Sequence, residues 1–531
     1  MMSNAKRHSS AVQSSKLSER YDVVVIGAGL AGLQAARDLT AAGLTVVVLE
    51  ARDAVGGRCR NKEGIAPWPI NLGPEFIHGD ENSMLKNFVD AQGWGCREYE
   101  WPDRYYFGGA ERRLITAAEA DSDADIVEVH RLFDELPGAP GAGDPDMTAL
   151  AWLRDTCRAS PRVLELADAI YANDFGTELA DLGMHELAAE GDAWTYGEKY
   201  LVLDRPLSAV AGAMALGLDV RLGWEVGTVR RGPGGVTVER RNPASPWTRS
   251  PPCTGDTGVV RADRCVVTLP LPMLQAPAPG DTRRLARVSF VPPLPAPKVA
   301  AAAAVRMGDA AKVMLGFTRR FWPEGLFDVV CAGAYLPELW VTEFPAESGG
   351  GITGGGGGVT GGGGGVTSGG GGGGGGTIGR GNDRVGRGRG EVDGGGAVVA
   401  YVVTFFVAGA RATALCGADP EEVKANALTQ LDDMFGTPEE PHPAGPRLAS
   451  FHIQGWADEP FAGGAYSHPT LGAGAGGSRA ALAASVEGLL FFAGEATHLG
   501  CNPCLQGAME TGARAAAEVL AATAAPARSR L

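Results

Sequence analysis

No apolar run in this sequence reaches the roughly 18–20 residues that a membrane-spanning helix requires. The longest, Val398 to Ala410, contains Thr404 and is expected as a buried strand, with no membrane partner. Positive charge is also in deficit: 47 Lys and Arg stand against 62 Asp and Glu, for a net charge of −15. That balance argues against nucleic acid as a partner. It is compatible with drawing in a cationic substrate, although such charge also simply aids solubility. A secretory signal is missing from the N-terminus, so the nine cysteines are expected as free thiols in a reducing compartment. What is present is length: 531 residues exceed what one hydrophobic core organises, and two or more lobes are expected.

The densest information lies between Tyr21 and Arg60. Tyr21 to Ile26 reads as a buried strand, Gly27-Ala-Gly29-Leu-Ala-Gly32 as a turn, the residues through Leu39 as a helix, and Leu44 to Leu49 as a second strand ending in Glu50. Glycines permit a tight turn and close approach to a pyrophosphate, whose charge a helix N-terminus favours. Glu50 follows Gly32 by 18 residues, near the spacing at which a carboxylate accepts hydrogen bonds from a ribose. Strand, glycines, helix, strand and acid in register imply an adenine dinucleotide. Gly56-Gly57-Arg58 follows at once and adds an arginine able to fork onto phosphate, which suits FAD better than NAD. The alternative is a surface loop with a salt-bridged Arg58.

That run resembles the flavin-containing amine oxidases, where Glu, about five residues and Gly-Gly-Arg follow the nucleotide fold. The C-terminal segment Phe491-Phe-Ala-Gly494-Glu495-Ala-Thr497-His498, then Gly507-Ala-Met-Glu-Thr-Gly512, is similar to the ending of the polyamine oxidases. The resemblance implies that Glu495 holds FAD and that Val226 touches the adenine through its backbone. Asn71-Leu-Gly73-Pro-Glu75-Phe76-Ile-His78-Gly79 resembles the family's Asp-Leu-Gly-Ala-x-Trp-Ile-His-Gly, with Asn71 and Phe76 as departures. By that match Gly73 lets backbone approach the flavin and His78 sits at the substrate channel. Lys312 matches the lysine that holds a water at flavin N5. On pattern alone it is a strand lysine, a type that usually points at solvent.

Trp456 and Gly463-Gly464-Ala465-Tyr466 resemble the wall of the flavin's aromatic face. Ala465 stands where monoamine oxidases carry the cysteine bonded to flavin, so the FAD is expected to be non-covalent. Tyr466 offers one wall of an aromatic cage for an amine; the position of the second wall falls at or near Cys504. A distal ammonium has Glu75, Glu190 and Asp192 as candidate partners. The implied activity is FAD-dependent oxidation of an amine, a polyamine by resemblance, with hydride transfer, imine hydrolysis and reduction of O2 to hydrogen peroxide. Three alternatives stand beside it: a desaturase or porphyrinogen oxidase of the same fold, a disulfide oxidoreductase using Cys501-Asn-Pro-Cys504, and a flavin-binding protein without turnover. A second G-x-G-x-x-G, Gly472 to Gly477, follows His468-Pro-Thr470, not an apolar strand, and is read as a false match, leaving no clear NADPH site.

The expected fold is α/β, a Rossmann-like FAD domain (21–92, 205–284 and 447–524) interwoven with a mixed α+β substrate domain (93–204 and 285–446). Met84 to Leu201 reads as mainly helical, and Lys298 to Phe317 as strand. Between residues 349 and 396, 29 of 48 residues are glycine, too little side chain to offset ordering entropy. This segment is expected as an inert flexible insert whose deletion leaves activity intact. Residues 1–20 are expected as a disordered leader. In the tail, 525–531, Ser529-Arg530-Leu531 is a one-step variant of a peroxisomal address, which implies an import receptor as partner and the peroxisome, with the cytoplasm as alternative.

Overall fold

The computed structural model describes residues 20–99, 101–102, 104–134, 144–241, 258–277, 279–343, 399–474, 477–501 and 503–524. The glycine-rich insert, the C-terminal address and the leader before Arg20 lie outside them.

Strand β1 (Arg20–Ile26) is central to an eight-stranded sheet, and Val23, Val24 and Val25 are fully buried. Burial on both faces explains their unbroken β-branched run, each side chain contributing roughly 1.5–3 kcal/mol. Helix α1 (Leu30–Ala41) follows, then β2 (Val46–Leu49), which pairs parallel with β1. The parallel part runs Asp219–Arg221, β2, β1, Val259–Val267 and Leu490–Phe492. An antiparallel meander, Gly235–Arg240 against Val226–Gly232, grows from the same Val259–Val267 strand. The C-terminal helix Leu505–Ala524 lies on α1, so close that a Cβ on Gly512 would stand 2.2 Å from the Ala31 carbonyl oxygen.

A seven-stranded sheet forms the second lobe, in the order Leu448–Gly455, Ala310–Phe317, Tyr401–Ala408, Glu338–Glu343, Asp328–Ala332, Tyr105–Phe107 and Arg113–Ile115. Every residue of Ala310–Phe317 is buried, Lys312 included. Helices Pro161–Ala167 and Pro420–Phe435 cover it.

Several segments differ from the sequence reading. Within Lys298 to Phe317, the first part is helix: Ala296–Ala304. Five successive alanines behind a Pro at the first turn favour helix over strand. The stretch from Met84 to Leu201 contains strands at Cys96–Tyr99, Tyr105–Phe107 and Tyr200–Leu203, because they pair with partners remote in sequence. Two boundaries also move: Ser289–Val291 pairs into the first sheet, and Leu448–Gly455 pairs along Ala310–Phe317 in the second. No helix among the described residues is long and apolar enough to cross a membrane.

Candidate active site

A single elongated cavity of about 570 Å³ runs from the end of β1 to the face of the second sheet. Twelve of the thirteen residues singled out from sequence line it: Gly27, Gly29, Glu50, Arg58, Gly73, Glu75, His78, Val226, Lys312, Trp456, Tyr466 and Glu495. Gly32 does not, and its role is packing: a Cβ there would stand 2.0 Å from the Gly27 carbonyl oxygen. Gly27 itself has φ +103°. A Cβ on Gly29, by contrast, would meet nothing within 4 Å. That open face, beside the uncapped N-terminus of α1, leaves backbone N–H groups and room for a phosphate group. Glu50 is held rigidly: its carboxylate accepts from the backbone N–H of Ala28 at 2.8 Å and of Arg52 at 2.9 Å. Burial pushes this carboxyl up, opposed by the two backbone hydrogen bonds. Arg52, not singled out from sequence, also lines the cavity and is ion-paired with Glu459.

Farther along, Arg58 donates to Glu495 at 2.8 Å, joining two residues 437 positions apart. The other Glu495 oxygen accepts from Ser467, whose hydroxyl in turn accepts from Arg479 at 2.9 Å. Arg479 is 1% exposed and pairs with buried Glu186 at 3.0 Å. This buried line fixes Glu495 from behind, and the sequence carried no signal for it. Arg479 sits on the helix Gly477–Ala483, which the second glycine motif introduces. The Trp456 indole donates to the Leu72 carbonyl at 3.2 Å and packs on Gly73, where a Cβ would meet the Arg58 carbonyl oxygen at 2.1 Å. Ala465 lines the cavity with a methyl group and brings no nucleophile. Recessed glycines, a fixed carboxylate and a long cavity fit a dinucleotide lying from Glu50 to Glu495, with its ring end toward Lys312.

That far end is built by the second sheet. Lys312 donates to Glu75 at 2.9 Å and to the Asn71 carbonyl at 3.3 Å, and its Nζ lies 4.9 Å from the centre of the Trp340 ring. Glu75, expected as a candidate partner for a ligand ammonium, is therefore matched by a cation of the protein itself while still lining the cavity. Phe406 pairs in register with Lys312 on one side and with Glu338 on the other, so these three stand in a row on one face. At about 4.8 Å per strand, Glu338 lies roughly 10 Å from Lys312.

Glu338 accepts from the Trp101 indole at 3.2 Å and from Asn173 at 3.1 Å. Burial, then the charge of Asp174, pushes its carboxyl up to about 8. The Asp174 carboxylate also lines the cavity, takes no hydrogen bond from any described residue, and is pushed up by burial, with His78 opposing. His78, whose ring meets Tyr200 edge-on at 5.1 Å, is held below its usual range by burial. The Tyr466 hydroxyl donates to the Asp174 carbonyl, and burial followed by the charges of Asp174 and Glu338 raises its phenol. Cys504 lines the same chamber, its thiol driven up by the adjacent Cys501 thiol, by burial and by the charges of Glu190 and Asp174. The chamber is thus aromatic-walled and holds two carboxyls, Asp174 and Glu338, whose ionised forms burial disfavours. Glu190 lines it as expected, whereas Asp192 does not; Asp174 and Glu338 were missed because no local spacing links them to Lys312.

The family model "Flavin containing amine oxidoreductase" matches residues 30–520. Polyamine oxidase 1 of Zea mays is 27% identical over 338 residues, covering 57% of this chain and 61% of that protein. Putrescine oxidase of Kocuria rosea is 31% identical over 301 residues, 52% of this chain and 59% of that protein. The chain thus spans about three fifths of the length of these curated relatives. Among solved structures, putrescine oxidase bound to putrescine superposes with a TM-score of 0.68 at 19% identity, covering 95% of this chain and 99% of that one. Cyclohexylamine oxidase from Brevibacterium oxydans gives 0.66 at 18%, covering 94% and 98%. Both establish the fold. The chain belongs to the flavin-containing amine oxidoreductases, and its cofactor is FAD, bound without a covalent link.

Proposed function

We propose that the protein oxidises a diamine or polyamine, with O2 as electron acceptor and hydrogen peroxide as product. The observation that carries this reading is the pair of cavity-lining carboxyls Asp174 and Glu338 inside aromatic walls, Glu338 standing two strands, about one short alkyl chain, from Lys312. A cationic group entering there offsets the burial that raises both carboxyls and, at Glu338, the added charge of Asp174. Tyr466, Tyr200 and Phe406 supply apolar and cation–π surface for the methylenes and the ammonium. FAD, when bound, accepts the hydride from the carbon beside the reacting nitrogen and passes the electrons to O2. The chain's own residues bind, orient and hold protons. His78 is kept neutral by burial and can hydrogen-bond the amine, whose nitrogen must be unprotonated to react. Lys312 lines the cavity and keeps one N–H beyond those given to Glu75 and the Asn71 carbonyl, which can hold the water that hydrolyses the imine.

The test is aerobic peroxide release from putrescine, spermidine, spermine, their acetylated forms and cyclohexylamine. Faster turnover of the amines bearing a second cation is expected. Equal turnover of cyclohexylamine, or silence on every amine with activity on disulfides or porphyrinogens, sinks the reading.

A further inference from the structure

Glu75 has a place the amine-binding reading leaves unexplained. It and Lys312 are both nearly enclosed, with side chains 12% and 5% exposed. The pair is clamped from one side: the Leu207 backbone N–H donates to the Asn71 side-chain oxygen at 3.1 Å, and the Asn71 amide donates to Glu75 at 3.2 Å. Glu75's other oxygen receives Lys312. Of the three N–H bonds on the ammonium, one is directed to Glu75 and one to the Asn71 carbonyl. One is left for the cavity. A buried ammonium without a partner carries a desolvation cost of several kcal/mol and adopts whatever rotamer reduces it. A carboxylate fixed by a third residue removes both freedoms. Asn71 suits that task better than an aspartate, which would set a second negative charge against Glu75.

We propose that Glu75 is the positioning residue for Lys312: clamped by Asn71, it keeps the ammonium in the cavity wall and aims its remaining N–H at the reacting end of the cofactor. Glu75 acts through Lys312 and touches neither substrate nor flavin in this role.

The probe is the midpoint potential of the bound flavin in the full-length holoprotein, followed during stepwise dithionite reduction without any amine. The inference rests on the flavin assignment alone, so a protein inactive on amines would still give a valid answer. K312M is expected to shift the potential negative by removing an aimed positive charge. In the E75Q background the same substitution is expected to give a clearly smaller shift, and in the E75D background, which keeps the carboxylate, the full one. Reoxidation by O2 should slow up to about a hundredfold in E75Q, and the E75Q/K312M double substitution should be no slower than K312M. Should E75Q fold poorly, N71L retains Glu75 without its clamp and should also diminish the K312M shift. Equal K312M shifts in native, E75Q and N71L backgrounds overturn the proposal.

Discussion

Replacing Glu338 by glutamine keeps the shape and most hydrogen bonding of the side chain while removing its ability to ionise. Its carboxyl lies near 8 because burial and Asp174 disfavour the charge, so in the empty site it is protonated at pH 7. A charge-assisted hydrogen bond to a ligand ammonium contributes about 1.5–3 kcal/mol once the carboxylate exists. Above pH 8 the full amount is available, so E338Q should lower kcat/KM for a diamine about 10- to 160-fold. At pH 7 the native carboxyl must first release its proton, at about 1.4 kcal/mol per pH unit, which leaves a loss of at most about 15-fold. The sign follows: a raised carboxyl binds the cation better as pH climbs through 8, and the native-to-E338Q ratio must grow with it. Protonation of the free amine is common to both proteins and cancels in that ratio. The assay is steady-state peroxide release from putrescine and from a monoamine of equal chain length, at pH 7 and 9. Equal losses on both amines, or a ratio that stays flat with pH, refute the reasoning.

Other consequences can be checked directly. Gly32→Ala forces a Cβ to 2.0 Å from the Gly27 carbonyl oxygen, and the protein should be purified with little flavin absorbance near 450 nm. Arg479→Met strands Glu186 in the interior and should cost about 3–5 kcal/mol in chemical denaturation; an unchanged midpoint would show that the Glu186 charge is relieved another way. Cys504→Ser should leave amine turnover within about twofold, since its thiol is pushed away from the reactive thiolate form, and abolition of turnover would restore the disulfide-exchange reading.

What could be read from the sequence was whatever the backbone itself dictates. Gly27, Gly32 and Glu50 announce themselves because a turn, a close contact and a strand end impose residue types at fixed spacing. Glu495 and Gly73 were legible only through resemblance, since their partners, Arg58 and Trp456, are remote in sequence. Glu75 was assigned to the ligand because sequence does not show that Lys312 faces it. Asp174 and Glu338 escaped entirely: one lies just past the irregular helix Asp168–Ala172 and the other at a strand start, and only sheet register sets Glu338 in line with Lys312. The misread Lys298 segment shows the converse, apolar alanines giving no period by which to separate strand from helix.

The strand Val259–Val267 is bordered by β1 on one flank and by Leu490–Phe492 on the other, and Arg58 finds its partner only at Glu495. During synthesis on the ribosome, therefore, the nucleotide cradle stays open until the chain as far as Glu495 has emerged. Residues 20–60 alone offer the glycines and Glu50 but not the wall that closes over the flavin. Capture of FAD consequently waits for Glu495, and nascent chains released before that point should emerge colourless and be open to proteolysis.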